Sequence, residues 1–440
     1  MIKNLIIRNN FFLKRPSLKN VNAVNHQITK SFKSIDNNKD ALNIFSKNFD
    51  LDLSKKDLKK FKKFKNIVIV GMGGSSLGTK AISSFLEDKI KKNLFFLDNL
   101  NLTELKNIVI VGMGGSSLGT KAVFSFLEKK IKKNLFFLDN LNLAELQNIK
   151  KKLAIKVALF IIVSKSGNTL ETLVNTNFLK NNISKKNSIV ISERDNNLLK
   201  QFADKNNIYF IEHKNYIGGR YSVLSEVGMV PAYLMNLNIK LFRQYLLKLF
   251  TGEKKKILIN SVANLKEIYR LKKINSIIFL NYVPELTDFL FWCQQLIAES
   301  LGKNGLGLMP VISIAPRDHH SLLQLYLDGP KDKLFYIFSS NQKDPARTNS
   351  NIFGKGFNYA ENKNFNKIKF SQKKALIQAL KNKKISFREF EINKSNESTL
   401  GELFGYFMLE TVLLGKALGI NPYNQPAVEE VKILTKKNLI

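Results

Sequence analysis

The sequence predicts an α/β fold with two three-layer α/β/α domains, each built around a parallel sheet. A short β-branched run at residues 67–70 is followed by a glycine-rich turn and then by helical apolar spacing at 77–90. Strand-like and helical segments continue to alternate along the chain, which is the pattern of parallel βαβ units. The strand-like runs fall into two groups, separated by a stretch at 222–250 with helical spacing. Two groups of strands indicate two sheets.

The order of these segments sets the domain boundaries that we predict. The first group of strands comprises residues 67–70, 94–97, 157–163, 188–191 and 208–211, and the second comprises 276–280, 311–314 and 334–338. Residues 1–55 are predicted to be helical with loops, and further helices are predicted at 289–300 and 403–418. The predicted units are an N-terminal segment (1–55), a first domain (56–215), a second domain (216–400) and a C-terminal helical segment (401–440).

One 41-residue segment occurs twice, head to tail, between residues 66 and 147. The first copy spans 66–106 and the second spans 107–147, and 36 of the 41 positions are identical. The five differences are Ile82/Val123, Ser83/Phe124, Asp88/Lys129, Thr103/Ala144 and Lys106/Gln147. Two copies are too few to form a repeat array, and a domain needs this strand–loop–helix unit only once. One copy is therefore surplus.

The junctions of the two copies favour the second copy as the functional one. The second copy runs uninterrupted into the strand at 157–163, whereas the helix after Asn101 in the first copy is cut short by the next strand. We therefore predict that the second copy forms the pocket, and that the first is an extra βα unit at a sheet edge or displaced. Two alternatives stay open: the first copy keeps its join to the N-terminal segment and the surplus lies further on, or the repeat is an artefact of sequence assembly.

The composition indicates a globular, cytoplasmic protein. The chain has 440 residues, 44% of them hydrophobic, and no apolar run approaches the roughly 20 residues that span a bilayer. We predict no signal peptide, and the single cysteine, Cys293, allows no intrachain disulfide. The net charge of +35 would suit a nucleic-acid binder, but only nine of the basic residues are arginine, the side chain that most often reads bases. The charge therefore favours a lysine-rich proteome over a specific nucleic-acid partner.

Two motifs rich in glycine and serine indicate an anion site. GMGGSSLG, at 71–78 and again at 112–119, lies between a strand and a helix, where glycine allows a close approach and the helix N-terminus favours negative charge. The alternatives are a structural turn and a dinucleotide-binding loop, although Ser76 and Ser117 stand where the last glycine of G-x-G-x-x-G belongs. SKSGNTLET, at 164–172, has hydroxyl groups that could bind a phosphate monoester. The alternative is that these residues only cap the N-terminus of the following helix.

Further charged residues are candidates for acid–base and electrostatic roles. Arg220 follows two glycines in GGRYSVLSEVG, and an arginine held by a turn can stabilise developing negative charge. Glu299, in QQLIAESLGK, is a candidate general base. His319 and His320 are two of only four histidines, and no partner cluster at metal-ligand spacing accompanies them. Taken singly, each of these residues is more often structural.

Together these segments resemble the phosphoglucose isomerase family. The resemblance rests, in chain order, on GMGGSS, SKSGNTLET, GGRYSVLS, QQLIAESLGK, HHSLLQLYLDG and NQPAVEEVK, and it covers roughly residues 60–440. The first two motifs are shared with other sugar-isomerase (SIS) domains, and the last four are specific to this family. The resemblance implies two SIS-type domains with the active site between them, and interconversion of glucose 6-phosphate and fructose 6-phosphate through a cis-enediol. The duplicated segment departs from the family's pattern, which has one GMGGSS unit.

The resemblance also implies a role for each matched residue. Glu299 would carry the proton between C2 and C1, and Arg220 would stabilise the charge on the enediolate oxygen. His320 and Lys432 would act in ring opening, with His320 supplied by the partner subunit of a homodimer. The residues that would hold the sugar and its phosphate are Gln295, Gln425, Ser164, Lys165, Ser166, Thr169 and, from the second copy, Gly115, Ser116 and Ser117, with Ser75 as the twin of Ser116.

The implied reaction needs a hexose 6-phosphate as substrate and no metal, redox cofactor or nucleotide. We expect neither a membrane nor a specific nucleic acid as a partner. Two alternatives stay open: a related SIS isomerase with broader hexose-phosphate use, such as mannose 6-phosphate, and a non-catalytic sugar-phosphate-binding protein. The set of Glu299, His320 and Lys432 argues against the second alternative, because binding alone would not require it.

Overall fold

The computed structural model describes residues 5–12, 16–36, 41–71, 74–86, 89–97, 109–111, 136–138, 158–235, 237–341 and 354–440. The strands are β1 (Leu5–Asn10), β2 (Asn66–Gly71), β3 (Asn93–Leu97), β4 (Val109–Val111), β5 (Phe136–Leu138), β6 (Ala158–Val163), β7 (Ser188–Ser192), β8 (Tyr209–Glu212), β9 (Ser276–Asn281), β10 (Met309–Ile314), β11 (Lys333–Ser340) and β12 (Phe387–Ile392). The helices are α1 (Leu18–Lys33), α2 (Lys55–Lys59), α3 (Gly74–Phe85), α4 (Leu170–Phe178), α5 (Leu198–Lys205), α6 (Glu226–Leu234), α7 (Gly252–Leu271), α8 (Thr287–Leu301), α9 (Leu323–Asp328), α10 (Phe365–Asn382), α11 (Glu397–Ala417) and α12 (Pro426–Lys437).

Seven strands form the first sheet, in the order β5-β4-β3-β2-β6-β7-β8. β2 pairs in parallel with β3 on one side and with β6 on the other, in register from Asn66↔Ala158 to Gly71↔Val163. β7 and β8 continue the parallel sheet beyond β6. Neighbouring parallel strands end at the same edge of a sheet, so the carboxyl ends of β2, β6 and β7 lie side by side.

Five strands form the second sheet, in the order β1-β12-β11-β9-β10. The last four are parallel, and β1 is antiparallel to β12 at the sheet edge. The N-terminal segment, predicted to be helical with loops, therefore begins with a strand of the second sheet. A buried charge anchors this strand, because Arg388 of β12 donates from Nε to Asn9 Oδ1 at 2.9 Å and from Nη1 to Glu410 Oε1 at 2.9 Å.

The two sheets confirm the predicted α/β class. One apolar cluster extends from Ile67 and Leu159 in the first sheet to Phe338 and Phe390 in the second. α11 is buried over nearly its whole length, as its apolar residues on all faces require, and it packs into the same cluster through Phe404. No described helix combines the length and the apolar character needed to cross a membrane.

The first copy of the duplicated segment, and not the second, occupies the centre of the first sheet. Its strand β2 lies between β3 and β6, so it stands next to the strand that leads into SKSGNTLET. The described strands of the second copy, β4 and β5, lie at the sheet edge and join β3 through one antiparallel pair, Leu97↔Val111. The prediction that the first copy is the extra unit at an edge was wrong for these strands, and the alternative in which the first copy keeps its join to the N-terminal segment agrees with them.

A buried serine gives a physical reason for this arrangement. Ser83 of α3 is fully buried, and its hydroxyl donates to the carbonyl oxygen of Lys80 at 2.9 Å. The second copy has Phe124 at the equivalent position. A phenyl ring needs much more volume than a hydroxymethyl group, and protein interiors are close-packed. The second copy would therefore strain the place that the first copy fills.

We expect Ser83→Phe to lower the free energy of unfolding by about 1–3 kcal/mol, the usual cost of overpacking a buried site. Deletion of residues 66–106 should have a similar cost relative to deletion of 107–147, because it places Phe124 in the central helix. Adding Phe124→Ser to the first deletion should recover the loss. Chemical denaturation of the four variants measures these differences. If deletion of 66–106 left a more stable chain than deletion of 107–147, the explanation would be contradicted.

α3 joins the first sheet to the segment that carries Arg220. A Cβ atom built on Gly78 would lie 2.3 Å from Val223 Cβ, so only glycine allows this approach. Thr79 Oγ1 donates to the carbonyl oxygen of Val227 at 3.0 Å. The GMGGSSLG motif of the first copy therefore ends in a glycine that allows the close packing of α3 against Val223.

Candidate active site

A carboxylate, Glu299, lies near the end of α8 and is held by two neighbours. Gln295, one turn earlier on the same helix face, donates from Nε2 to Glu299 Oε1 at 2.8 Å. Arg220 donates from Nη1 to Glu299 Oε2 at 3.2 Å. The Glu299 side chain is still 28% exposed. Both oxygens are therefore oriented while the carboxylate stays accessible to a ligand.

Arg220 lies in the 3₁₀ helix Gly219–Leu224 and is almost completely buried. A guanidinium has five N–H donors, and all five have acceptors here. The acceptors are Ser300 Oγ (2.8 Å from Nε), Glu299 Oε2 and Gln425 Oε1 (3.2 and 2.7 Å from Nη1), and the carbonyl oxygens of Pro422 and Asn424 (2.7 and 3.0 Å from Nη2). One side chain thus joins a turn, a helix and the segment before α12. It brings together four of the predicted residues: Arg220, Glu299, Gln295 and Gln425.

Two neighbours of these residues did not stand out in the sequence. Tyr221 is buried, and its hydroxyl lies 2.9 Å from Ser300 Oγ and donates to the carbonyl oxygen of Pro422 at 3.1 Å. Ser300 accepts from Arg220 at the same time. The only sequence signal for both is that each directly follows a predicted functional residue.

Lys303 adds a second cation beside the cluster. Its ammonium donates to the carbonyl oxygens of Asn421 at 2.6 Å and of Ser300 at 3.1 Å. Burial, together with the positive charge of Arg220, lowers the pKa of Lys303 to about 8, although Glu299 acts in the opposite direction. With this pKa Lys303 is mostly protonated at pH 7, so it adds a second positive charge close enough to Glu299 for the two to interact.

The SKSGNTLET loop leaves the carboxyl end of β6 and leads into α4. Gly167 has φ of +62°, a conformation that favours glycine, and its N–H donates to the carbonyl oxygen of Ser164 at 3.1 Å. The Ser164 and Thr169 hydroxyls lie 2.8 Å apart, and Ser166 is exposed. Thr169 is the N-cap of α4 but makes no side-chain cap hydrogen bond. The first amides of α4 therefore receive no acceptor from the cap side chain, and the loop combines hydroxyls with a helix N-terminus as an anion site does.

The glycine-rich loop beside it belongs to the first copy. Ser75 and Ser76 lie in the first turn of α3, directly after β2 and next to the loop that follows β6. The predicted pocket residues of the second copy, Gly115, Ser116 and Ser117, lie outside the described residues. The helix N-termini of α3 and α4 thus open at the same edge of the first sheet.

The two histidines of the HHSLLQLYLDG motif have different surroundings. His319 Nε2 lies 2.8 Å from the Tyr282 hydroxyl. Burial lowers the pKa of His319, the nearby His320 lowers it further, and the charge of Asp318 acts in the opposite direction. His320 is exposed. Asp318 shapes the turn by accepting from the Ile314 N–H at 2.7 Å. The structure therefore leaves His320, and not His319, open to another molecule.

Lys432 lies apart from the Arg220–Glu299 cluster. It is in the second turn of α12, a helix in which no residue is buried, and its side chain is 57% exposed. Its ammonium donates to Glu429 Oε1 of the same helix at 2.6 Å. Only the N-cap of α12, Gln425, reaches the cluster. In this structure the predicted roles of Lys432 and His320 have no support from contact with Glu299.

His213, at the end of β8, is a buried titratable group beside the SKSGNTLET loop. Its Nδ1 donates to the carbonyl oxygen of Lys214 at 3.0 Å, which fixes the proton on Nδ1, and its Nε2 has no hydrogen-bond partner among the described residues. Burial, with the charge of Lys165, lowers the pKa of His213 to about 4. His213 is therefore neutral in the folded chain and becomes protonated more readily when the chain unfolds.

This shift predicts a loss of stability in acid. The unfolded chain binds a proton at His213 below about pH 6.5 and the folded chain only near pH 4, so stability is complete above the higher value and falls as the pH approaches the lower one. We expect this residue to lower the free energy of unfolding by about 2 kcal/mol between pH 7.5 and pH 5. His213→Asn should reduce that difference in paired denaturation curves, and an unchanged difference in this variant would contradict the prediction.

Comparison with known proteins identifies the family. A model of the family described as phosphoglucose isomerase matches residues 100–306. Glucose-6-phosphate isomerase of Methanocaldococcus jannaschii is 34% identical over 379 residues, which cover 84% of this chain and 83% of that protein. The chain belongs to the phosphoglucose isomerase family. Glucose-6-phosphate isomerase of Campylobacter jejuni is 33% identical and aligns over 99% of this chain and 100% of that protein.

Solved structures agree with this family membership at the level of the fold. A hypothetical protein of Thermus thermophilus has a TM-score of 0.74 at 20% sequence identity. The superposition covers 99% of this chain and 100% of that protein. A glucose-6-phosphate isomerase of Chlamydia trachomatis has a TM-score of 0.69 at 16% identity, covering 98% of this chain and 88% of that one. Within the described ranges, no group of three or more His, Cys, Asp or Glu residues has metal-binding geometry.

Proposed function

We propose that this chain interconverts glucose 6-phosphate and fructose 6-phosphate. The observation that carries the proposal is the Glu299 carboxylate, which is oriented through both oxygens by Gln295 and Arg220 yet remains accessible. Membership of the phosphoglucose isomerase family and the relatives named glucose-6-phosphate isomerase support it. The reaction moves one proton between adjacent carbons, and a single fixed carboxylate can reach both.

In the proposed mechanism Glu299 is the general base and then the acid. It removes the proton from C2 of the open aldose, which gives a cis-enediolate with its charge on O1. A proton then passes from the C2 hydroxyl to O1, and Glu299 returns its proton to C1 as C2 becomes the carbonyl of the ketose. No bond to the enzyme forms, and the proton count is unchanged over the cycle. A positioned base of this kind contributes about 10²–10⁴ in rate.

Arg220 is proposed to stabilise the negative charge on the enediolate oxygen. Its five donors already have acceptors, so a substrate oxygen must replace one of them. Nη1 donates to Glu299 Oε2 and to Gln425 Oε1, and we propose that the oxygen replaces Gln425 Oε1, because this acceptor is uncharged and lies beside Glu299. Gln295 Oε1 is buried without a hydrogen-bond partner among the described residues, so it can accept from a sugar hydroxyl. These two glutamines would therefore line the sugar site, as the resemblance implies.

The phosphate group is proposed to lie between the loops that follow β2 and β6. Ser164, Lys165, Ser166 and Thr169 would bind it from one side, together with the N-terminus of α4. From the other side we propose Ser75 and its neighbours in the first copy, in place of Gly115, Ser116 and Ser117, because β2 is the strand that pairs with β6. The predicted role of the second copy is thereby transferred to its twin.

Two further features of the proposal concern assembly and ring opening. We propose a homodimer in which the exposed His320 of each chain reaches the site of its partner, and in which Lys432 assists ring opening. Support for the first is the exposure of His320 beside the tethered His319. The cytoplasmic location, the absence of a cofactor and the predicted domain boundaries stay predictions.

A coupled assay of the purified chain tests the proposal. Fructose 6-phosphate is supplied, and glucose 6-phosphate is detected through a dehydrogenase that reduces its coenzyme. We expect turnover with no metal or cofactor added beyond the coenzyme of the dehydrogenase, and turnover in the presence of a chelator. A folded chain that binds fructose 6-phosphate without converting it would instead support the non-catalytic binding protein, and comparable turnover of mannose 6-phosphate would support the broader isomerase.

A further inference from the structure

The loop that follows β7 is bound to the SKSGNTLET loop along its length. β6 and β7 are parallel neighbours with Val163 opposite Ile191, so the loops at their carboxyl ends adjoin. The N–H of Glu193 donates to the carbonyl oxygen of Lys165 at 2.9 Å, and the N–H of Leu199 donates to that of Gly167 at 3.1 Å. The two loops therefore form one unit at the sheet edge.

Asn197 locks this unit in place. It is buried, and its Nδ2 donates to the carbonyl oxygens of Glu193 and Asp195, each at 2.9 Å. Its Oδ1 accepts from the N–H of Lys200 at 2.9 Å and lies so close to Gly167 that a Cβ there would be only 1.7 Å away. The backbone of Glu193 is thus held at both its N–H and its carbonyl oxygen.

The fixed backbone places an anionic side chain beside the lysine of the phosphate loop. Glu193 Oε1 lies 3.5 Å from Lys165 Nζ, and the two side chains are 19% and 34% exposed. Burial raises the pKa of the Glu193 carboxyl, and the Lys165 charge acts against that rise. Lys165 therefore has an anionic partner before any phosphate binds.

We propose that Glu193 sets the affinity of this site by competing with the substrate's phosphate group for the Lys165 ammonium. This inference rests on the proposed function, since it takes residues 164–169 as the phosphate site. Glu193 acts through Lys165 and is a positioning residue. In the empty site it keeps the lysine oriented, and in the occupied site it repels the phosphate dianion from the far side of the lysine. Substrate and product then dissociate faster than they would from a site in which Lys165 had no anionic partner.

The size of the effect follows from Coulomb's law. A carboxylate within several ångströms of a dianion, in a partly exposed and salt-screened site, weakens binding by about tenfold. Glu193→Gln removes the charge but keeps the shape of the side chain and both backbone hydrogen bonds. We therefore expect it to lower the dissociation constant for inorganic phosphate about tenfold, and the KM for fructose 6-phosphate by a similar factor, with kcat unchanged or reduced. A purely structural role would predict weaker binding.

Titration calorimetry with inorganic phosphate measures this effect independently of turnover. Glu193→Ala, which also lacks the carboxylate, should tighten binding as well, and Glu193→Asp should stay close to the unsubstituted chain. Asp195→Asn is the matched control, because it removes the same charge from an exposed position in the same loop and should change the dissociation constant less than twofold.

The outcomes separate this inference from the proposed function. Equal or weaker phosphate binding in both Glu193→Gln and Glu193→Ala, beside normal binding and turnover by the unsubstituted chain, would overturn the inference alone. An equal gain from Asp195→Asn would also overturn it, since the effect would then be one of net charge. An unsubstituted chain that neither binds phosphate nor converts fructose 6-phosphate would refute both proposals.

Discussion

Glu299→Gln is expected to abolish most isomerase activity while leaving phosphate binding intact. The amide keeps the length of the side chain and can still accept from Arg220, but it cannot take up a proton from carbon. We expect kcat to fall by about 10²–10⁴, the usual contribution of a positioned base. The dissociation constant for inorganic phosphate should change little, because the carboxylate belongs to the sugar side of the site.

Steady-state kinetics and calorimetry on the same preparation test this prediction. Glu361→Gln provides the control, since it makes the same substitution at a partly exposed residue outside the Arg220–Glu299 cluster. Near-normal turnover by Glu299→Gln would mean that another group is the base. A loss of phosphate binding together with turnover would indicate that the substitution disturbs the whole site.

Arg220→Lys is expected to reduce both activity and stability. Lysine keeps the positive charge but has three donors from one nitrogen, so it cannot replace bonds that leave the guanidinium in three directions. Loss of a fixed donor near a developing oxyanion lowers kcat by about 10²–10³. The buried oxygens of Ser300 and Pro422 would lose the Arg220 donor, and so would the carbonyl oxygen of Asn424, which is only partly buried. At about 1–3 kcal/mol for each buried group, we expect the free energy of unfolding to fall by about 3 kcal/mol.

Thermal unfolding beside steady-state kinetics distinguishes the two effects. Arg270→Lys is the matched control, because Arg270 pairs with Glu267 on the surface, where its side chain is 67% exposed. It should leave both kcat and the melting temperature nearly unchanged. Full stability of Arg220→Lys would show that the bonds to the segment before α12 contribute little to folding.

Segments with uniform local patterns were predicted well from the sequence. The run at 157–163 contains β6, and the run at 276–280 lies within β9, because a strand buried on both faces has a continuous apolar sequence. β12 was missed because its FREFEI sequence contains Arg388, whose buried charge is neutralised by a residue of α11. The stretch at 222–250, predicted as helical throughout, consists of α6 and short 3₁₀ turns, and α6 itself contains Pro231. Arg388 lies in a strand because of contacts with residues far away in the sequence, and the local spacing of apolar residues carries no information about such contacts.

The sequence predicted which residues form the candidate site better than it predicted how they are arranged in space. Motifs identified Arg220, Glu299, Gln295 and Gln425, which the structure brings together. They did not identify Glu193 or Asn197, which lie in a loop without a distinctive motif and matter only because β7 pairs with β6. In the structure neither His320 nor Lys432 contacts Glu299, and no local pattern encodes where α12, which carries Lys432, lies relative to α8.

The choice between the two copies shows the same limit. Continuity of the chain favoured the second copy, because it leads directly into β6. Sheet pairing instead places the first copy beside β6, and the difference between Ser83 and Phe124 gives a volume reason for that choice. A buried position that differs between near-identical copies is thus more informative about their placement than the junctions.

The position of β4 and β5 also affects how one molecule meets another. Without them, β3 would be the last described strand of the first sheet. With them, the outermost described strand is β5, whose sequence is FFL. The last strand of any sheet has one row of peptide groups that can pair with a foreign chain, and a very short edge strand limits such pairing. Among the described strands, the duplication therefore replaces a five-residue edge strand by a three-residue one, which offers a foreign chain fewer peptide groups for pairing.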